Sequence, residues 1–241
     1  MRDQPFPDGS SPALSRPRRA LLVQAGLALF ALKAHAAGAA GLTGAAGTAG
    51  TAADAANHVH VLPSGLRVKM AEYAVPELTL VRDDGRRVSL AHEIDDGRPT
   101  VLNFVYTTCP GICPLMSQVF AQFQNKLGAE RDRVHMVSIS IDPEQDTPAR
   151  LRDYAKRFAA GPQWQHYTGT VAASVAAQKA FDAYRGDKMS HDPLTLMRAA
   201  PGKPWMRIDG LATPDELVAQ YLQVAAMCEP GAAGTTKAAS R

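Results

Sequence analysis

The segment Thr100-Val-Leu-Asn-Phe-Val-Tyr106, followed by Thr107-Thr-Cys-Pro-Gly-Ile-Cys-Pro114, decides how the rest of the chain is read. Apart from Asn103, its first seven residues are β-branched, aromatic or Leu. A run of this length with no polar face predicts a buried central strand, covered on both sides. Thr107-Thr-Cys109 then supplies a polar cap and Pro110 a residue suited to a first helical turn, which predicts a helix starting at the strand's end. That helix is expected to run to about Leu127, with Ile112, Leu115, Met116, Val119, Phe120 and Phe123 at helical spacing.

Outward from this unit the pattern repeats. On the N-terminal side, Leu78–Val81 and Arg87–Leu90 flank Asp83-Asp-Gly85, a hairpin signal. On the C-terminal side, Val134–Ile141 predicts a second strand, and Thr147-Pro148 opens a second helix through Phe158. A short strand at His166–Thr168 leads to a third helix, Val171–Tyr184. Thr195–Arg198 and Trp205–Ile208 flank Pro201-Gly-Lys203 as an antiparallel hairpin, and Thr213-Pro214 opens a last helix to about Ala226. Strands alternating with helices and closed by an antiparallel edge predict an α/β fold: a thioredoxin-like sandwich, its mixed sheet flanked by helices, with an N-terminal β-hairpin.

Cys109 and Cys113 fall at the strand-to-helix junction, the reactive end of such a fold. Four residues apart on a helix, their Cβ atoms would lie about 5–6 Å apart on one face. Open N–H groups and the positive dipole end there favour thiolate over thiol. Two adjacent thiolates either bind a soft metal or cycle to a disulfide, and a C-x-x-x-C pair tilts toward metal where C-x-x-C is the commoner redox spacing. Of the seven histidines, His35, His58 and His60 lie in or beside the terminal segments, His92 in a polar stretch, and His135 and His166 on strands as satisfied residues. His191 alone stands in a polar loop, Gly186-Asp-Lys-Met-Ser-His-Asp-Pro193, placed to return over the Cys109 helix start. Met116, Met136, Met189 and Met206 are soft donors whose expected role is core packing. Met189, two residues from His191, is the nearest of them to the candidate site. Asp142-Pro143 and Asp146-Thr-Pro148 read as turn and capping residues.

Of 241 residues, 26 are Lys or Arg and 23 are Asp or Glu, a net charge of +3. Residues 1–36 hold five of the basic and two of the acidic ones, which leaves 21 of each in the rest. The excess is thus no sign of an anionic partner, and no nucleic-acid partner is expected. Arg16-Pro-Arg-Arg19, the apolar run Ala20–Leu32 and Ala34-His-Ala36 follow the order of an export signal, with Arg18-Arg19 also resembling a twin-arginine motif. Residues 1–36 are therefore expected to be a signal or an uncleaved membrane tether. Residues 37–57, rich in Ala, Gly and Thr, read as a flexible linker, 58–229 as the domain and 230–241 as a flexible tail. The expected location is the periplasmic side of the inner membrane, soluble or N-terminally tethered. Three cysteines exclude a disulfide scaffold, and Cys228 is left over as a buried residue or a free thiol.

Asn103-Phe-Val-Tyr-Thr-Thr-Cys-Pro-Gly-Ile-Cys-Pro-Leu-Met116, Ser140-Ile-Asp-Pro-Glu-Gln-Asp-Thr-Pro148, Tyr167-Thr-Gly169 and His191, in this order, resemble the SCO/SenC copper proteins. The resemblance implies a thioredoxin-like fold and one copper ion, Cu(I) or Cu(II), held by Cys109, Cys113 and His191. It also implies delivery of copper to, or reduction of the cysteines of, the CuA site of cytochrome c oxidase. The implied partners are the oxidase copper-site subunit, other periplasmic copper carriers and thiol reductases. Where many members carry an acidic residue before the histidine, this chain has Ser190, with Asp192 following as the expected partner of the imidazole. Two other readings compete. One is a thiol–disulfide oxidoreductase using the redox pair Cys109 and Cys113 on a partner's disulfide without obligatory metal. The other is a peroxiredoxin-like peroxidase, disfavoured by the C-x-x-x-C pair and the export signal.

Overall fold

Successive side chains of Thr100–Val105 bury in two different cores, which is why that segment shows no polar face. Val101 packs in one, Leu102 and Phe104 in the other, and all six residues are buried. The computed structural model describes residues 59–227. Within them, the strands are β1 (His60–Val61), β2 (Arg67–Ala71), β3 (Thr79–Arg82), β4 (Arg87–Ser89), β5 (Thr100–Val105), β6 (His135–Ser140), β7 (Trp164–Thr168), β8 (Leu194–Arg198) and β9 (Trp205–Asp209). The α-helices are α1 (Leu90–Ile94), α2 (Ile112–Lys126), α3 (Pro148–Arg157), α4 (Val171–Ala180) and α5 (Pro214–Ala226).

The strands form one mixed sheet in the order β1-β2-β9-β8-β5-β6-β7-β3-β4. β5, β6 and β7 run parallel, with Phe104 opposite Ile139, while β8 pairs antiparallel with β5, placing Thr195 opposite Asn103. On one face Phe120 and Phe123 of α2 meet Leu217 and Tyr221 of α5 over Val101, Met136 and Ile208. Phe123 and Tyr221 meet edge to face at 5.7 Å. On the other face Leu90, Ile94 and Ala177 cover Leu102, Phe104, Val137 and Tyr167. Each such fully buried Leu or Phe contributes about 1.5–3 kcal/mol. The thioredoxin-like arrangement read from the sequence is the one found, with both hairpins in place across Gly85 and Gly202, which hold φ of +88° and +73°. Thr147 and Thr213 cap α3 and α5 as expected, Thr213 in a full capping box with Glu216.

Several boundaries differ. α2 begins at Ile112, with Gly111 as its cap and no side-chain cap bond, so Cys109 precedes the helix instead of sitting in its first turn. The chain first turns through a Cys109 N–H bond to the Tyr106 carbonyl at 3.2 Å, and Gly111 (φ −128°, ψ −92°) lies outside helical geometry. α4 stops at Ala180 because the buried Arg207 guanidinium takes the Phe181 carbonyl (2.8 Å) and the Asp182 carbonyl (3.3 Å), and Asp182 turns to φ +51°. β7 starts at Trp164, two residues earlier than expected. Leu115, read as part of the packed face of α2, is exposed. β2, which pairs with β9 over five residues, and the short α1 have no counterpart in the sequence reading. The segments 1–36, 37–57 and 230–241, together with Cys228, fall outside the described residues. Among the described residues no helix is long and apolar enough to cross a membrane.

Gly210 joins β9 to the last helix at φ +116°, and a Cβ there would stand 2.6 Å from Leu66 Cδ2. Its N–H also holds the Pro193 carbonyl at 2.9 Å, just beyond the His191 loop. Gly210→Ala is expected to cost about 1–3 kcal/mol, read as a lower urea midpoint with unchanged slope. An unchanged midpoint would mean the turn relaxes without loss.

Candidate metal centre

β5 ends in a small apolar cluster of Val105, Tyr106, Cys109 and Cys113, with Ile112 and Ile141 against it. Cys109 lies in the turn after the strand and Cys113 in the first turn of α2. The Cys113 N–H donates to Cys109 Sγ at 3.4 Å. The sulfur of Cys109 thus takes one of the orphan amides at a helix start that has no side-chain cap. Burial pushes the Cys109 thiol up, but the backbone amides of Cys113 and Gly111 and the Tyr106 hydroxyl outweigh it and leave it below the ordinary value. Burial pushes the Cys113 thiol up to about 12, against an opposing backbone bond at Tyr106. The pair is asymmetric: the Cys109 thiol is held below its ordinary value and the Cys113 thiol well above it. Both are free cysteines.

The turn carrying Cys109 is tied to the end of β6 by Asp146. This fully buried carboxylate accepts from the Thr107 N–H at 3.2 Å, the Thr107 hydroxyl at 2.5 Å and the Ser140 hydroxyl at 2.6 Å. Asp142, also buried, pairs with Lys188 Nζ at 2.6 Å. Both acids were legible only as turn and capping residues, because their partners come from segments 39 and 46 residues away.

Lys188 belongs to the loop that carries His191, and four contacts hold that loop over the site. Besides Lys188–Asp142, Asp187 caps a short 3-10 turn (Lys188–Ser190) through the Met189 N–H at 2.9 Å. The Tyr106 hydroxyl donates to Met189 Sδ at 3.5 Å. His191 Nε2 lies 3.1 Å from the Phe104 carbonyl of β5. A carbonyl only accepts, so Nε2 carries the proton and Nδ1 the lone pair. Burial lowers the His191 pKa, with the Phe104 bond opposing, and keeps the ring neutral near pH 7. Asp192, expected to orient this imidazole, instead bonds Arg185 Nε at 3.0 Å, and a backbone carbonyl orients the ring in its place. Met189 is 65% exposed, contrary to a core role, whereas Met116, Met136 and Met206 are buried as expected.

The loop does return over the cysteine end of the sheet. The two sulfurs and the imidazole all depend from β5, but they are not closed around a point. Among the described residues no three His, Cys, Asp or Glu side chains form a ready-made ion site. The donor set nevertheless fits copper: two soft sulfurs, and a neutral imidazole with its second nitrogen already engaged. The remaining described histidines stand apart. His60 and His92 are exposed. His135 Nδ1 faces Asp96 at 3.2 Å. His166 is buried between Trp164 and Tyr154, its pKa lowered by burial to about 3, and neither ring nitrogen finds a hydrogen-bond partner among the described residues, so it is not the satisfied residue expected.

The family model described as SCO1/SenC matches residues 68–226. The SCO1 homolog of Bacillus subtilis is 34% identical over 114 residues, which cover 46% of this chain and 58% of that protein. SenC of Rhodobacter capsulatus is 32% identical over 119 residues, 49% of this chain and 52% of that one. The chain therefore spans a little over half the length of these relatives. Among solved structures, BsSco, described with a disulfide switch as a Sco-family cytochrome c oxidase assembly protein, superposes with TM-score 0.57 at 27% identity, covering 66% of this chain and 97% of its own. ScoI of Bradyrhizobium japonicum with copper bound gives TM-score 0.52 at 26% identity, covering 61% and 96%.

Proposed function

The chain belongs to the SCO1/SenC family, and from that premise we propose that it binds one copper ion through Cys109, Cys113 and His191 and delivers it to the copper site of cytochrome c oxidase. The observation that carries the reading is the common anchoring of all three donors on β5. The cysteines follow the strand's C-terminal end, and the imidazole is oriented by the Phe104 carbonyl of the same strand. Copper is the cargo. Cys109, the more acidic thiol, meets it first; Cys113 gives up its proton on binding; His191 offers Nδ1 as the loop closes. A three-donor site under an exposed loop leaves room for an incoming thiolate of the partner, so the ion passes by ligand exchange. The signal-like residues 1–36 support a place on the periplasmic side of the inner membrane, and the oxidase subunit that holds the acceptor site is the proposed partner.

A second reading draws on the thiol asymmetry. A more acidic thiol beside a less acidic one is also the arrangement of a dithiol that reduces a partner's disulfide, with Cys109 attacking and Cys113 resolving. His191 separates the two. In an anaerobic titration of the reduced chain, His191→Ala is expected to weaken Cu(II) binding about 100-fold or more, while thiol–disulfide exchange with a small disulfide changes little. A His191→Ala protein that binds Cu(II) as tightly as the parent would remove the three-donor site and favour the reductant.

A further inference from the structure

Resting on that copper reading, we propose that Met189 is a thioether ligand for Cu(I), so that the His191 loop presents different donors to the two oxidation states of the cargo. Four observations lead there. Met189 is 65% exposed at the cysteine end of the molecule, where a large apolar side chain has no packing role. Its Sδ is 3.5 Å from the Tyr106 hydroxyl. Tyr106 packs in one cluster with Cys109 and Cys113, and its carbonyl takes the Cys109 N–H at 3.2 Å, so the Met189 sulfur touches a residue that abuts the cysteine pair. The Met189 backbone is fixed by the Asp187 cap and by the neighbouring Lys188–Asp142 pair, while its unbranched side chain retains the torsions needed to swing.

The hardness of the donors makes the difference. Thiolate and thioether suit Cu(I), whereas imidazole serves Cu(II) as well. Met189 and His191 lie two residues apart on a segment pinned at both ends, by Lys188–Asp142 and by the Gly210 N–H on Pro193. A modest rotation of this segment brings one or the other donor to the Cys109–Cys113 pair. Tyr106 gives up its bond to Met189 Sδ as the thioether turns to the ion, which frees its single hydroxyl proton. Met189 is then a device for oxidation-state selectivity, raising Cu(I) affinity without a matching gain for Cu(II).

The test uses the full chain, reduced and anaerobic, with Cu(I) supplied against bicinchoninate and Cu(II) titrated separately. In Met189→Leu, of similar volume and at an exposed position, the ratio of Cu(I) to Cu(II) affinity is expected to fall about tenfold. In protein carrying 13C-methyl methionine, the signal lost in Met189→Leu should shift on addition of one equivalent of Cu(I), while those of buried Met116, Met136 and Met206 stay in place. Parent-like Cu(I) affinity in Met189→Leu, with a stationary Met189 methyl, overturns the assignment and leaves the copper reading intact. A parent chain that takes up no Cu(I) overturns both.

Discussion

In Cys113→Ser, Cu(I) affinity is expected to fall by about 1000-fold, close to 4 kcal/mol, because a soft anionic donor is replaced by a hard neutral one. The thiol is wholly buried at the start of α2. The same residue sets the pH dependence. Cys109 sits below the ordinary thiol value of 9.0, and Cys113 titrates only near 12. Between pH 9 and about 12, then, the copper-free pair retains one proton, which metal binding must expel. Affinity should rise about tenfold per pH unit in that window in the parent protein. In Cys113→Ser that proton is gone and the slope should vanish. Competition titrations at pH 9 and 10 measure both quantities. A loss below tenfold, or an unchanged slope, would place the ion somewhere other than the cysteine pair.

Asp146→Ala should destabilise the domain by about 3–4 kcal/mol. Its carboxylate is fully buried and satisfies three donors: the Thr107 amide, the Thr107 hydroxyl and the Ser140 hydroxyl. Alanine strands all three, the Ser140 hydroxyl fully buried and the Thr107 groups partly so, and each buried orphan costs about 1–3 kcal/mol with incomplete additivity. Asp146→Asn keeps an acceptor oxygen and should lose about half as much. Urea unfolding reads both, as midpoints shifted at constant slope. Equal stability of the Ala and parent proteins would show that the Cys109 turn is held by the apolar cluster alone.

The parts of this fold that were legible in the sequence are those in which local chemistry and burial agree. β5 reads from its side chains because both of its faces are covered, and α3 and α5 from Thr-Pro pairs whose hydroxyls do cap the first turn. β2 was not legible. Arg67-Val-Lys-Met-Ala71 buries little beyond Val68, and its strand character comes from pairing with β9, some 140 residues later. The end of α4 was hidden for a similar reason, since Arg207 takes its last carbonyls from across the chain. At the site, spacing brought out Cys109 and Cys113, but not that one precedes the helix and the other lies within it. His191 stood out as a loop histidine, yet its partner is a backbone carbonyl, and carbonyls leave no mark in a sequence. The polar stretch at Asp142–Asp146 looked like turn chemistry because Asp142 and Asp146 act on Lys188 and Thr107, which local reading cannot reach.

The position of β5 has a consequence for how the two halves of the site open. Flanked by β6 and β8 and covered on both faces, its amides are released only when the whole sheet comes apart. The segment bearing His191 and Met189 is held to the rest of the domain by the Lys188–Asp142 pair, the Pro193 carbonyl on the Gly210 N–H and single contacts to Tyr106 and Phe104, so its middle is expected to lift while the sheet stays intact. In the language of hydrogen exchange, β5 is expected in the slowest cooperative unit and the loop donors in a faster one. On the proposed copper reading, the hold on the ion would then be loosened from the loop side first, while the strand that anchors the site stays fixed.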